Sequence, residues 1–113
     1  MFGFNEPKVP QVTPELVKEA LDKNETCIIL DVRTDGEYSR GKLSKSINLS
    51  VEKVGSQILK LIPDKSTKVY VYCLSGSRSV IAVDTMIKLG YTNVFDMKQG
   101  LLAWRAKYFP VQP

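Results

Sequence analysis

Val69-Tyr70-Val71-Tyr72-Cys73-Leu74-Ser75-Gly76-Ser77-Arg78-Ser79-Val80-Ile81-Ala82-Val83 is the stretch on which the reading of this chain turns. Its first four residues are apolar, β-branched or aromatic, as a strand buried on both faces requires. Val80 to Val83 opens a helical pattern. Between them runs a short loop with the spacing Cys-x4-Arg, from Cys73 to Arg78. Gly76 admits backbone conformations closed to a residue with a Cβ, so successive N–H groups can turn inward. Ser75, Ser77 and Ser79 are small and carry hydroxyl donors, while Leu74 gives the loop an apolar outer edge. Inward N–H groups and the positive end of the following helix both favour thiolate over thiol. Cys73 therefore reads as a reactive nucleophile rather than a core filler.

Outward from this stretch, strands and helices alternate. Cys27 to Val32 is a nearly continuous apolar run and reads as a second buried strand; Asn93 to Asp96 reads as a third, and Ser46 to Leu49 as a short one. Thr13 and Pro14 read as N-cap and first residue of a helix with Leu16, Val17, Ala20 and Leu21 on one face, ending near Asn24. Thr34-Asp35-Gly36 reads as a turn, and Glu37 to Gly41 as a short helical turn. Ser50 is placed to cap a helix to about Leu61, which Pro63 ends. Helices are further expected over Ser79 to Leu89, stopped by Gly90, and from Gly100 through Trp104, where Trp104 reads as a core anchor. Residues 1–12 read as an irregular arm punctuated by Pro7 and Pro10, and Pro110 to Pro113 as a frayed end. The expected fold is α/β, one domain over 1–113, with a central, mostly parallel sheet flanked by helices on both faces. Such sheets place their sites at the carboxyl ends of strands. The loops Cys73 to Ser79, Asp31-Val32-Arg33 and Met97 to Gly100 should therefore meet at one edge.

Composition bounds the function. The chain has 113 residues, 43% apolar and 25% charged, with a net charge of +4. Arg33, Arg40, Lys42, Lys45, Lys60, Lys68, Lys88 and Lys107 are scattered rather than striped, which argues against nucleic acid and suits small anionic substrates. No run approaches the roughly 20 apolar residues of a membrane span, and the N-terminus has no basic n-region, so neither membrane insertion nor a signal peptide is expected. There are two cysteines and no histidine. That excludes a Cys–His pair and Cys/His zinc sites within one chain. Activation of Cys73 falls to backbone dipoles, Arg78 and the helix terminus. Cys27 begins its strand and Cys73 follows another, which separates the sulfurs by roughly 15 Å if the strands are parallel, too far for a disulfide. Cys27 reads as a small buried apolar group, and an unpaired reactive thiol suggests a cytoplasmic setting. Asp31, Arg33 and Glu37 read either as an acid/base cluster or, preferably, as ion pairs bracing the site, since buried charges are normally paired. For Arg78 a loop-shaping role ranks ahead of substrate contact.

Four segments, in order, carry a resemblance to a known family: Leu30-Asp31-Val32-Arg33 with Glu37-Tyr38; Gly41-Lys42-Leu43 before Ser46-Ile47-Asn48-Leu49; the Cys73 to Ser79 loop; and Gly90-Tyr91-Thr92-Asn93-Val94 through Gly100-Leu101-Leu102-Ala103-Trp104. From about Val9 to Val111 the chain resembles the single-domain rhodanese family of sulfurtransferases. The resemblance implies a rhodanese-like fold and a two-step reaction. A donor such as thiosulfate gives its outer sulfur to Cys73, forming a persulfide, and a thiophilic acceptor, cyanide or a thiol, then takes it. It also implies that the N–H groups of Leu74, Ser75, Gly76, Ser77, Arg78 and Ser79 cradle the persulfide, that no metal or organic cofactor takes part, and that a protein persulfide donor or acceptor is a further class of partner. Three positions depart from the family pattern. Lys42 stands where histidine is usual, Lys45-Ser46 where Gly-Ala is usual, and Gln99 where the first of two glycines is usual. Two rivals stand beside this reading. One is a cysteine phosphatase, whose loop is one residue longer. The other is a silent binding module, which typically lacks the cysteine.

Overall fold

Period-two alternation along one strand divides the protein into two cores. In β4 (Val69–Tyr72), Val69 and Val71, followed by Cys73, enter one core, and Tyr70 and Tyr72 enter the other, because successive side chains leave a strand on opposite faces. The computed structural model describes residues 7–113. Around β4 lie β1 (Gln11–Val12), β2 (Ile28–Asp31), β3 (Ser46–Asn48) and β5 (Val94–Met97). They form a five-stranded sheet in the order β1-β5-β4-β2-β3, parallel at every pairing. The helices are α1 (Pro14–Asp22), α2 (Asp35–Ser39), α3 (Val51–Leu61), α4 (Ser77–Lys88) and α5 (Gly100–Ala106). Helices α3 and α4 pack together, and α1 meets α5. The first pair supplies Val54, Ile58, Ala82, Val83 and Met86 to the core that holds Leu30 and Val71. The second supplies Val17, Ala20, Leu101 and Trp104 to the core that holds Ile29 and Tyr72. This is the α/β architecture, with helices on both faces, that the alternating pattern implies. No helix among the described residues is long and apolar enough to cross a membrane.

Three local expectations are corrected. Of the arm read as irregular, residues 1–6 lie outside the described residues, but Gln11 and Val12 form an edge strand in register with Asp96 and Met97. A two-residue strand has no periodicity to read; the carbonyls of Pro10 and Val12 instead accept N–H bonds from Asp96 and Lys98, both at 2.9 Å. Helix α4 starts at Ser77, two residues before the expected Ser79, because Gly76 takes the N-cap position at φ 109°. Ser79 is thereby placed on the first helical turn, where backbone N–H groups have no helical partner. The C-terminus is tied down rather than frayed. Lys42 and Gln112 exchange two backbone bonds at 2.9 and 2.8 Å, and Trp104 Nε1 donates to Pro110 O at 2.9 Å.

Tyr72 joins β4 to the segment before β3. Its hydroxyl accepts the Leu43 N–H at 3.1 Å and lies 3.4 Å from Ser46 Oγ, and burial pushes its pKa up, so it stays a neutral phenol. Tyr72→Phe leaves the buried Leu43 N–H without that acceptor. We expect a loss of about 1–3 kcal/mol in urea unfolding, with little change in the m-value.

Candidate functional site

Because every strand runs the same way, the ends of β2, β4 and β5 open onto one edge, and the three loops singled out in the sequence meet there. The loop after β4 folds back on its own cysteine. Cys73 Sγ accepts the N–H of Gly76 at 3.1 Å and of Ser79 at 3.3 Å, and lies 3.4 Å from Ser79 Oγ. Gly76 makes the reversal, since its positive φ is a region that disfavours a Cβ. Cys73 is fully buried, while Leu74 is 37% exposed and forms the outer rim with Ser75 and Ser77. Two backbone N–H groups converge on the sulfur, one from the loop and one from the first turn of α4.

The turn from β5 to α5 holds this loop in place. The N–H groups of Leu101 and Leu102 donate to the carbonyls of Cys73 and Leu74 at 2.9 and 3.0 Å. Gly100 permits the approach: a Cβ there would stand 2.4 Å from Cys73 O. Gln99 sits at φ 60° and Lys45 at φ 63°. Both departures from the family's usual glycines therefore fall in the left-handed region, which costs a residue with a Cβ on the order of 1 kcal/mol or more. The third departure, Lys42, donates to Pro113 O at 3.0 Å and lies over the Tyr38 ring.

Asp31, Arg33 and Glu37 do not form one network. Asp31 and Arg33 pair with each other in the interior, Nη2 to Oδ2 at 2.6 Å, and the same Nη2 reaches Gly41 O at 2.6 Å. Glu37 instead takes Arg78 in a fork, at 2.7 and 3.1 Å. Arg78 is thus turned away from the sulfur and ties α4 to α2. Glu37 is itself fixed by a capping box with Thr34 at the start of α2. The Arg78 guanidinium, helped by the Thr34 N–H, holds the Glu37 carboxyl down to about 2 against the opposing effect of partial burial. Cys27 lies at the opposite end of the sheet from Cys73, and both cysteines are free.

Two features escape the sequence. A cleft of about 220 Å³ opens beside the loop between Arg33, Glu37, Arg40, Gly41, Leu74 and Arg105. Its Arg40 and Arg105 side chains carry no hydrogen bond or ion pair among the described residues. Nothing in the spacing of these two arginines marks them, because α2 and α5 bring them together only in the fold. The second feature is Asp96, read as an ordinary strand residue, which lies fully buried with Oδ1 bonded to Ser79 Oγ. Of the other cations, Lys45 bonds Asn24 at the amino end of the sheet.

The parallel α/β sheet thus carries a cysteine in a short N–H-lined loop at its carboxyl edge. The chain belongs to the rhodanese-like sulfurtransferase family: the Rhodanese-like domain matches residues 13–107. Among curated relatives, YrkF of Bacillus subtilis, a proposed sulfur carrier protein, is 29% identical over 91% of this chain and 55% of its own length. A sulfurtransferase of Allochromatium vinosum is 25% identical over 91% of this chain and 94% of its own. Among solved structures, a thiosulfate sulfurtransferase from Pseudomonas aeruginosa superposes with a TM-score of 0.84 at 25% identity, covering 92% of this chain and 20% of that one. The chain thus spans about half of YrkF and a fifth of the Pseudomonas protein.

The Glu37–Arg78 pair makes a prediction about acid stability. The folded-state pKa of Glu37 lies below its ordinary 4.5, so the stabilisation is complete above about 4.5 and is lost as pH falls towards about 2. Glu37→Gln removes this dependence. Melting temperatures measured across that window should fall less steeply for the variant, while at neutral pH the variant should be the less stable protein.

Proposed function

We propose that this protein moves a sulfane sulfur from a small anionic donor, with thiosulfate as the representative, to cyanide or a thiol through a persulfide on Cys73. The observation that carries the reading is the pair of N–H groups, from Gly76 and Ser79, directed at Cys73 Sγ. In the first half-reaction the Cys73 sulfur bonds the donor's outer sulfur, the donor's S–S bond breaks, and the pair leaves on sulfite. In the second the acceptor takes the outer sulfur and returns Cys73 as thiolate. Backbone dipoles stabilise the sulfur anion in both states without a competing cation. Because Cys73 is enclosed, the rim from Leu74 to Ser77 must part for the donor to enter.

Arg40 and Arg105 give that donor a reason to be an anion. They line a cleft that begins at Leu74, next to the nucleophile, and neither is paired with a carboxylate among the described residues. A protein bearing a thiol or persulfide fits the same edge as partner, and two free thiols fit a reducing compartment such as the cytoplasm. The phosphatase rival is disfavoured by loop length: N–H groups at 3.1 and 3.3 Å from the sulfur itself leave little room for a tetrahedral oxyanion.

A thiosulfate:cyanide transfer assay tests this. Cys73→Ser should abolish thiocyanate formation and Cys27→Ser should retain most of it. Removing Arg40 and Arg105 together should raise the KM for thiosulfate by about tenfold with little change in kcat, and added salt should raise the native KM by screening the same charges. Full activity in the Cys73 variant, or aryl phosphate turnover exceeding sulfur transfer, would overturn the assignment.

A further inference from the structure

A buried carboxylate behind a site that carries an anionic sulfur calls for a physical reason. Asp96 and Ser79 are both fully buried, and Asp96 Oδ1 is hydrogen-bonded to Ser79 Oγ. Ser79 Oγ in turn lies 3.4 Å from Cys73 Sγ. Gln11, from β1, donates its Nε2 to Asp96 Oδ2 at 2.7 Å, and the Asp96 N–H bonds Pro10 O, so the edge strand fixes the orientation of the carboxylate. Alternation along β5 puts Asp96 on the face of Val94, the same face that receives Cys73. Gln11 from β1, Ser79 from α4 and Cys73 from the end of β4 are among the groups that face Asp96. Arg78, on the same turn of α4 as Ser79, is turned to Glu37.

The hydroxyl between sulfur and carboxylate has one proton to give. While Cys73 is a thiol, its S–H can be accepted by Ser79, whose own O–H goes to an ionised Asp96. Once the sulfur carries a negative charge, the stable arrangement reverses. Ser79 donates to the sulfur and must then accept from Asp96, which has to be protonated. Keeping both groups ionised, one small hydroxyl apart in a dry interior, is the costly alternative.

We propose that Asp96 is a positioning residue that takes the Cys73 proton through Ser79 and holds it while the persulfide exists; this rests on the persulfide reading above. In the loading step the Cys73 sulfur forms its bond to the donor's outer sulfur, and the donor's S–S bond breaks with its electron pair departing on sulfite. The thiol proton passes to Ser79 Oγ as the Ser79 proton passes to Asp96 Oδ1. The products are an anionic persulfide, sulfite and a neutral Asp96. When the acceptor removes the outer sulfur, the thiolate left on Cys73 takes the proton back by the same path, which restores thiol and carboxylate. No solvent proton is needed in either half of the cycle.

Infrared difference spectroscopy of the native protein, persulfide form minus free form, reads the proton directly. Loading is scored separately by the thiocyanate released with cyanide. We expect the carbonyl stretch of a protonated carboxylic acid to appear on loading, to shift in D₂O, and to be missing in Asp96→Asn. In single-turnover loading, Asp96→Asn should be slower than the native protein by about tenfold or more near pH 6.5, and by no more than about twofold near pH 9.5, where solvent hydroxide can accept the proton in place of Asp96. A merely structural role would slow the variant by the same factor at both values. A native protein that loads sulfur without the carboxylic acid band, or a deficit independent of pH, would overturn the inference. If Asp96→Asn does not fold, the native spectrum decides alone. If no sulfur loads at all, the persulfide reading fails and this inference falls with it.

Discussion

The contact between the start of α5 and the carbonyls of Cys73 and Leu74 is the constraint on which the site depends. The carbonyls at the end of β4 have run out of sheet partners, and the first N–H groups of α5 have no helical acceptors. Each set satisfies the other through the Leu101 and Leu102 bonds. The approach is so close that only glycine fits at position 100. With the loop's base fixed this way, the chain can curl at Gly76 and return two N–H groups to the sulfur. The parallel sheet supplies the rest, because a shared strand direction brings α5, α4 and the β2 loop to one edge.

Charge is arranged around the sulfur rather than on it. Asp31 and Arg33 neutralise each other in the core and hold Gly41, and Glu37 and Arg78 neutralise each other between α2 and α4. Each pair locks a loop that borders the site. A guanidinium aimed at Cys73 would hold the sulfur anion tightly but also oppose its transfer. Neutral dipoles stabilise it without that penalty. Arg40 and Arg105, whose side chains form no ion pair among the described residues, lie in the neighbouring cleft beside Leu74.

Much of this was legible in the sequence because it is local. Thr13-Pro14 at a helix start, the alternating valines and tyrosines of β4 and the Cys-x4-Arg spacing each reflect a short-range rule. They place the elements within one or two residues and bring Cys73, Asp31, Arg33 and the Met97 to Gly100 turn to one edge. What was not legible depends on distant pairing. Gln11–Val12 becomes a strand only because β5 offers an edge. Gln112 is ordered only because it pairs with Lys42. Arg78 is drawn to Glu37, 41 positions away, which splits the expected cluster of Asp31, Arg33 and Glu37 into two pairs. Asp96 looks like any strand residue until α4 folds Ser79 above it. Lys45 and Gln99, read as departures from a pattern, prove to hold left-handed positions, which explains why glycine is usual there.

The central claim is that the loop exists to hold a sulfur on Cys73. Intact-mass measurement after incubation with thiosulfate, followed by peptide mapping, tests it most directly. A gain of one sulfur per chain is expected, located on the peptide that carries Cys73 and lost on treatment with cyanide. An unchanged mass, or sulfur found on Cys27 instead, would contradict it.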